Sequence, residues 1–181
     1  MVRGDRFANP FRIIGSALNI LFERQIKTEF GGSGITEGCF HWIENNVELG
    51  ARILEFGAGD VSTPKLGAAY SLTSVEHNPV WIGKFKTRYV YAPLSETLGW
   101  YQGDELLQLS SEVFDLALID GPPGSGNRFG VLLHLDLVAD IPIIIVDDTD
   151  RPNERLLSIL LAQQLRRAVS HHGNFSVVSE K

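Results

Sequence analysis

The stretch from Arg52 to Thr63 restricts the fold of this chain more than any other. It opens as a short apolar strand and then breaks at Gly57 and Gly59. Ser62 and Thr63 follow, and small hydroxyl residues at this point favour the start of a helix. Glycines at a strand-to-helix turn allow the backbone to approach a ligand closely. The stretch therefore predicts a ligand-binding turn at the carboxyl end of the first strand.

Segments with strand and helix character alternate along the rest of the chain. Predicted strands cover 52–56, 72–76, 89–92, 114–119, 143–146 and 175–178, and predicted helices cover 36–49, 62–69, 79–87, 105–109, 129–139 and 153–170. Apolar strands separated by helices are typical of a parallel sheet covered on both faces. We therefore expect an α/β fold with a doubly wound, mostly parallel sheet.

The two ends of the chain set the expected domain organisation. Residues 1–34 are predicted to form a tail and a helix, in which Ile14, Leu18 and Leu21 recur at helical spacing. Residues 35–181 are predicted to form a single α/β domain, on which the N-terminal helix packs unless it packs on a second subunit. Only one short strand follows the last predicted helix. We therefore expect a sheet that is shortened at its C-terminal end or completed by the partner subunit of a homodimer.

Charge and composition restrict the location and the partners of the protein. A formal net charge of -6 and a pI near 5.3 disfavour nucleic acid, because nucleic-acid binding depends on positive charge meeting phosphate. A single cysteine, Cys39, excludes an intrachain disulfide, which is typical of a reducing compartment. No stretch approaches the length of a membrane span. We expect a cytoplasmic protein with no membrane partner.

A second glycine loop, from Gly121 to Arg128, matches the glycines of a phosphate-binding loop. The lysine and the hydroxyl residue of that pattern, which reach the phosphates and magnesium, are replaced here by Asn127 and Arg128. The loop therefore disfavours a nucleoside triphosphatase.

The first turn also leaves an NAD site open as an alternative. The third glycine of the dinucleotide pattern would fall at Ser62, so the pattern is incomplete. Glu76 lies about twenty residues further on, where it would hold ribose hydroxyls. The chain is too short for the second domain that most dehydrogenases carry, and this makes an NAD-dependent oxidoreductase the less favoured function.

Four motifs in order resemble those of the class I S-adenosylmethionine (SAM)-dependent methyltransferases. They lie at 54–59, 75–79, 114–123 and 145–151. The resemblance covers about residues 35–165. It implies a Rossmann-like methyltransferase fold and SAM as the cofactor.

The residues around the first turn suit SAM, which carries no phosphate. The glycines would admit the methionine moiety, Glu76 would accept hydrogen bonds from the ribose, and acidic side chains would face the positive charges of the amino group and the sulfonium. The resemblance implies a cofactor site formed by Glu55, Gly57, Gly59, Asp60, Ser62, Thr63, Glu76, His77 and Asp120.

Three carboxylates are expected at the ends of the fourth and fifth strands, namely Asp120, Asp147 and Asp148. Converging carboxylates repel one another unless they share a cation or a proton. The arrangement is similar to that of the catechol O-methyltransferases, a resemblance that implies a Mg²⁺ site formed by these residues, although Asp148 stands where that family has asparagine. Oxygen ligands alone suit Mg²⁺ or Mn²⁺. Without a metal, Asp120 or Asp147 would act as the general base.

The sequence therefore predicts a SAM-dependent methyltransferase that acts on an oxygen of a small molecule or a sugar. A non-catalytic SAM-binding module is the second hypothesis, and the shortened C-terminal end favours it. The acceptor itself stays open, because acceptor pockets are built by variable loops.

Overall fold

The computed structural model describes residues 30, 34–124 and 126–180. The predicted N-terminal tail and its helix at 11–29 lie outside the described residues. The division at residue 34 is therefore untested and stays a prediction.

Seven strands and four α-helices make up the described chain, with two 3₁₀ helices between the fourth and fifth strands. The helices are α1 (Glu37–Asn46), α2 (Ser62–Ala69), α3 (Asp104–Leu109) and α4 (Pro152–Leu165), and the 3₁₀ helices are Arg128–Leu133 and Leu135–Leu137. The strands are β1 (Arg52–Phe56), β2 (Ser71–Glu76), β3 (Arg88–Tyr91), β4 (Leu116–Ile119), β5 (Ile143–Val146), β6 (Ala168–His172) and β7 (Phe175–Ser179).

The strands form one sheet in the order β3-β2-β1-β4-β5-β7-β6. The five strands from β3 to β5 are parallel, whereas β7 runs antiparallel to both β5 and β6. The order reverses between β1 and β4, and ligands bind at such a switch point in open α/β sheets. The predicted doubly wound, mostly parallel α/β fold is confirmed.

Apolar residues of the central strands alternate between the two faces of the sheet. Ala117 and Ile119 of β4 pack in a cluster with residues of α4 and the 3₁₀ helices. Leu116 and Leu118 pack in the opposite cluster with residues of α1 and α2. Both faces are therefore covered, and this explains why β4 is apolar throughout.

The C-terminal end is where the expectation is wrong. The chain leaves α4 at Arg166, which adopts a left-handed backbone with φ of 56°. β6 and β7 then form an antiparallel hairpin that turns at Gly173 and completes the sheet within one chain. The predicted helix at 153–170 extends too far, because the helix ends at Leu165 and the residues from Ala168 onward form β6. The sheet therefore needs no strand from a partner subunit.

Two other predicted helices take different forms. Residues 79–87 form turns, because Gly83 breaks the segment with φ of 76° and most of its side chains are exposed, so no apolar face is available to pack. Residues 129–139 form two short 3₁₀ helices instead of one α-helix. Among the described helices, none has both the length and the apolar character needed to cross a bilayer.

Candidate functional site

The glycine turn after β1 is pressed against the end of β4. Gly57 has φ of 96°, and its N–H donates to the carbonyl of Val75 at 2.9 Å. A Cβ at Gly57 would lie 2.9 Å from both Cα and N of Gly121, closer than side chains approach backbone. Only glycine therefore fits here, and the turn and the end of β4 meet backbone to backbone.

A chain of hydrogen bonds holds this turn from beneath. The N–H of Gly59 donates to Oγ1 of Thr63 at 2.9 Å, and the Thr63 hydroxyl donates to Oε2 of Glu55 at 2.8 Å. The hydroxyl of Ser74 donates to the same carboxylate oxygen at 2.6 Å. Glu55, Ser62 and Thr63 are fully buried. All three are predicted to contact the cofactor; Glu55 and Thr63 instead support the turn through these hydrogen bonds, and Ser62 is buried beside Thr63.

Burial changes the acidity of Glu55. Removal from water raises the pKa of its carboxyl group from 4.5 to about 7, although the hydroxyls of Ser62, Ser74 and Thr63 lower it in part. The negative charge of Glu76 raises it slightly further. Glu55 therefore titrates near neutral pH, directly below the glycine turn.

Glu76 is the carboxylate that faces the ligand side of the turn. Its Oε2 accepts the N–H of Ala58 at 2.8 Å, and its Oε1 accepts the N–H of Asn78 at 2.6 Å. The side chain is nearly buried, and Nδ1 of His77 lies 2.9 Å from Oε1. Two main-chain donors thus fix the direction of a carboxylate that still has unused lone pairs.

A cleft of about 160 Å³ lies above the turn. It is lined by Gly57, Ala58, Gly59, Glu76, His77, Asn78, Trp81, Asp120, Gly121 and Pro123. Five of the predicted cofactor residues therefore line one space, namely Gly57, Gly59, Glu76, His77 and Asp120. Asp60 does not line it, because its carboxylate pairs with Nζ of Lys84 at 2.8 Å on the exposed side of the turn.

The three predicted carboxylates at the ends of β4 and β5 come together. Asp120, Asp147 and Asp148 each offer an oxygen within 4.8 Å of the other two. Burial, followed by the charge of Asp147, raises the pKa of Asp120 well above its usual range. Burial, followed by the charge of Asp148, raises the pKa of Asp147 to about 6. The pair therefore holds a proton more readily than exposed carboxylates do.

Arg128 places a buried positive charge in this cluster, a role that no sequence motif indicates. Its Nη1 donates to the carbonyl of Asp147 at 3.1 Å, and its Nη2 donates to the carbonyl of Asp120 at 2.6 Å. Nη2 also donates to Oδ2 of Asp148 at 2.9 Å and lies 3.6 Å from Oδ1 of Asp120. The side chain is only 7% exposed. In the phosphate-loop pattern Arg128 only marks the absence of a hydroxyl residue, so that pattern does not reveal this role.

Asp148 turns toward this guanidinium through an unusual backbone. Its φ is 61°, in the left-handed region that residues other than glycine rarely adopt. Nη1 of Arg151 also lies 3.0 Å from the same oxygen, Oδ2 of Asp148. Two guanidinium groups therefore share one carboxylate oxygen, and the left-handed backbone that presents it is strained in the way often found at functional sites.

A second depression of about 430 Å³ opens on the other side of Asp120. It is lined by Gly34, Asp120, Pro123, Gly124, Arg128, Asp148 and Arg151. Asp120 lines both this depression and the cleft above the glycine turn. Among the described residues that line either space, Asp147 does not appear, and it is only 2% exposed. Asp147 is therefore buried below the surface of both spaces.

Tyr101 is buried against Gly121, one of the residues that line the cleft. Its side chain is 1% exposed and packs on Phe56 and Trp100. Its hydroxyl lies against Cα of Gly121, where a Cβ would collide with it, and it has no hydrogen-bond partner within the described part of the chain. A buried hydroxyl without a partner is costly to the stability of the fold.

Comparison with known proteins gives relatives by structure only. No protein-family model and no curated protein matches the sequence. A TehB-like SAM-dependent methyltransferase from Corynebacterium glutamicum is similar over 96% of this chain and 100% of its own, with 18% identity and a TM-score of 0.50. The MycE methyltransferase from the mycinamycin biosynthetic pathway, solved with Mg and SAH, is similar over 90% of this chain, with 14% identity and a TM-score of 0.56.

The second comparison is partial, because this chain covers 53% of the MycE chain. At these identities the likeness concerns the fold. Both comparisons indicate the same fold as the strand order and the glycine turn at the switch point. The chain therefore has the fold of the class I SAM-dependent methyltransferases.

Proposed function

We propose that the protein is a SAM-dependent methyltransferase that acts on a hydroxyl oxygen of a small molecule or a sugar. One observation carries this proposal: the cleft anchored by Glu76 and the larger depression meet at Asp120 and Pro123, and of these two residues only Asp120 has a side chain that can bind a proton. A group transferred between two ligands has to pass through such a junction.

The cleft has the chemistry that SAM requires. Glu76 presents a carboxylate of fixed direction to ribose hydroxyls, and the turn at Gly57 and Gly59 brings main chain to the ligand without side chains. Bound SAM would supply a methyl group on a positively charged sulfur, and Asp120 would face that charge. The residues present therefore fit this cofactor.

The size of the cleft indicates how such a ligand would lie. Its volume of about 160 Å³ is below the roughly 300–1,000 Å³ of pockets that enclose drug-sized ligands. A ligand as large as SAM would extend past the cleft along its rim, where Asn78 and Trp81 are partly exposed. The proposal thus places one end of the cofactor between β1 and β4 and the other end near Trp81.

On the acceptor side, the protein has to receive a proton. In methyl transfer to a hydroxyl, a C–O bond forms, the C–S bond breaks with its electron pair left on sulfur, and the hydroxyl proton goes to a base. Asp120 lines both spaces, and because burial raises the pKa of its carboxyl group, its ionised form takes up a proton more readily than an exposed carboxylate does. Asp147 is buried, and its charge contributes to the raised pKa of Asp120.

Titration calorimetry on the full chain with SAM, SAH and NAD tests the cofactor. We expect SAM and SAH to bind the wild type and the exposed control Glu96→Gln equally well. Glu76→Gln should bind them about 10- to 100-fold more weakly, because a charged hydrogen-bond acceptor is lost. Binding of NAD without binding of SAM would overturn the proposal in favour of an oxidoreductase.

Turnover tests the chemistry separately. A panel of hydroxylated small molecules and sugars is incubated with SAM, and formation of SAH is measured. Asp120→Asn should reduce the rate by about 10²- to 10⁴-fold on any accepted substrate, because the base is removed. Tight SAM binding with no turnover across the panel would instead favour the non-catalytic binding module.

A further inference from the structure

We propose that Arg128 takes the place of a divalent metal in the carboxylate cluster at the ends of β4 and β5. The protein would then bind no Mg²⁺ or Mn²⁺ at Asp120, Asp147 and Asp148. The part of this inference that concerns turnover rests on the methyl transfer proposed above, whereas the part that concerns metal binding does not.

The position of the guanidinium is the first argument. Arg128 binds both strands at the point where each ends, through the carbonyls of Asp120 and Asp147. It also binds the carboxylate of Asp148 and lies 3.6 Å from that of Asp120. A metal held by the three carboxylates would need this same space, because the three oxygens lie within 4.8 Å of one another.

The hydrogen bonds are the second argument. Oδ2 of Asp148 already accepts from Nη2 of Arg128 at 2.9 Å and lies 3.0 Å from Nη1 of Arg151. Mg²⁺ requires oxygen ligands at about 2.0–2.1 Å in near-octahedral geometry, so it would compete for the same lone pairs. It would also lie beside two positive charges, which repel it.

Burial is the third argument. The Arg128 side chain is 7% exposed, and its donors pair with main-chain carbonyls as well as with carboxylates. A buried charge is tolerated only when such partners satisfy it. Displacement of Arg128 by a metal would leave these carbonyls without their donor, and the guanidinium would have to find new partners elsewhere. The residues present therefore do not fit a resident metal.

This assigns Arg128 a positioning role. It is anchored to the ends of both strands and sets the direction of the Asp148 carboxylate. It also lines the depression where the acceptor would bind. Its fixed single charge does for Asp120 and Asp148 what the expected metal would have done, since it offsets the repulsion between them.

Binding of Mn²⁺, followed by electron paramagnetic resonance on the full chain, is the direct test. We expect no saturable binding to the wild type at concentrations up to about 1 mM. Arg128→Ala opens the cluster and should gain a single Mn²⁺ site, which the added change Asp148→Asn should remove. Arg151→Ala, which leaves Arg128 in place, is the matched control and should gain no site.

Saturable Mn²⁺ binding to the wild type that Asp147→Asn abolishes would overturn the inference. A folded Arg128→Ala protein that gains no site would also overturn it. If Arg128→Ala does not fold by circular dichroism, the wild-type measurement decides the question alone, and Arg128→Lys, which keeps a cation, should bind no Mn²⁺ either.

Turnover gives the second measurement. The rate of the wild type on an accepted substrate should change by less than about twofold after exhaustive chelation and should not rise on addition of Mg²⁺. A loss of about tenfold or more that Mg²⁺ restores would overturn the inference. If no acceptor is turned over at all, the proposed methyl transfer fails, while the Mn²⁺ measurement still decides whether Arg128 excludes a metal.

Discussion

Glu76 and Asp148 are both carboxylates at the ligand-binding edge of the sheet, yet they find their hydrogen-bond donors in different ways. Glu76 accepts from two main-chain N–H groups, those of Ala58 and Asn78. Asp148 faces the guanidinium groups of Arg128 and Arg151. We call the cleft at Glu76 the proposed cofactor side and the depression at Arg128 and Asp148 the proposed acceptor side. The path of the backbone shapes the former, whereas the latter depends on a few side chains.

This difference has a consequence for the two halves of the site. A main-chain donor survives any substitution that leaves the turn in place, but a side-chain donor can be removed by one change. The geometry of the proposed cofactor side should therefore tolerate most substitutions, whereas single substitutions should disrupt the proposed acceptor side. Such a division suits a fold that keeps its cofactor while its acceptor changes.

The largest effect should come from loss of the cation on the acceptor side. We expect Arg128→Met to lower the free energy of unfolding by about 3–5 kcal/mol, because buried carboxylates lose their partner. Arg167→Met is the control, since Arg167 also donates to two main-chain carbonyls but to no carboxylate. It should cost about 1–2 kcal/mol. Equal losses in urea unfolding would show that the carboxylates contribute nothing to the role of Arg128.

The next effect concerns Glu55 on the cofactor side and depends on pH. The pKa of Glu55 is about 7 in the folded protein, whereas its ordinary value of 4.5 applies to the unfolded chain. As pH rises, the unfolded chain therefore loses this proton at a lower pH than the folded protein does. The free energy of unfolding should therefore fall between pH 4.5 and pH 7, by about 3 kcal/mol from this group, at about 1.4 kcal/mol per pKa unit.

Glu55→Gln cannot ionise and should flatten this part of the stability profile. Unfolding curves in urea at several pH values provide the measurement, and Glu96→Gln, at an exposed position, should keep the wild-type profile. Parallel stability profiles for Glu55→Gln and the wild type would contradict the raised pKa of Glu55.

The smallest expected effect is on the stability of glycine variants. It distinguishes the cost of a positive φ from the cost of a collision with the end of β4. Gly50 and Gly57 both have positive φ, of 81° and 96°, but a Cβ at Gly50 would meet nothing within 4 Å. Gly57→Ala should therefore be less stable than Gly50→Ala by about 1–3 kcal/mol, because only the former forces atoms into the backbone of Gly121. Equal melting temperatures for the two variants would show that this contact relaxes freely.

The cofactor side could be predicted from the sequence because its parts are local. β1, α2 and β5 lie where they were expected, and Glu76 lies where its spacing from the glycines placed it. The sequence could not distinguish Glu55 and Thr63, which support the turn, from residues that line it. That distinction depends on which side of the turn is covered by α2.

The acceptor side and the C-terminal hairpin could not be predicted in the same way. Arg128 meets Asp148 across 20 positions of the sequence, and no spacing pattern marks that pair. β6 is an edge strand whose side chains are largely exposed, so it lacks the apolar alternation of a strand. The end of α4 could not be predicted either. Helices that end in a left-handed residue usually have glycine there, and here that residue is Arg166.

The contact between Gly57 and Gly121 also limits how the site can move. With no room for even one carbon atom between them, the first turn and the end of β4 have to shift together as one rigid piece. Entry and release of ligands must therefore depend on the segments around them. The turns at 79–87 are such a segment, because Trp81 lines the cleft and Gly83 two residues later has a left-handed backbone.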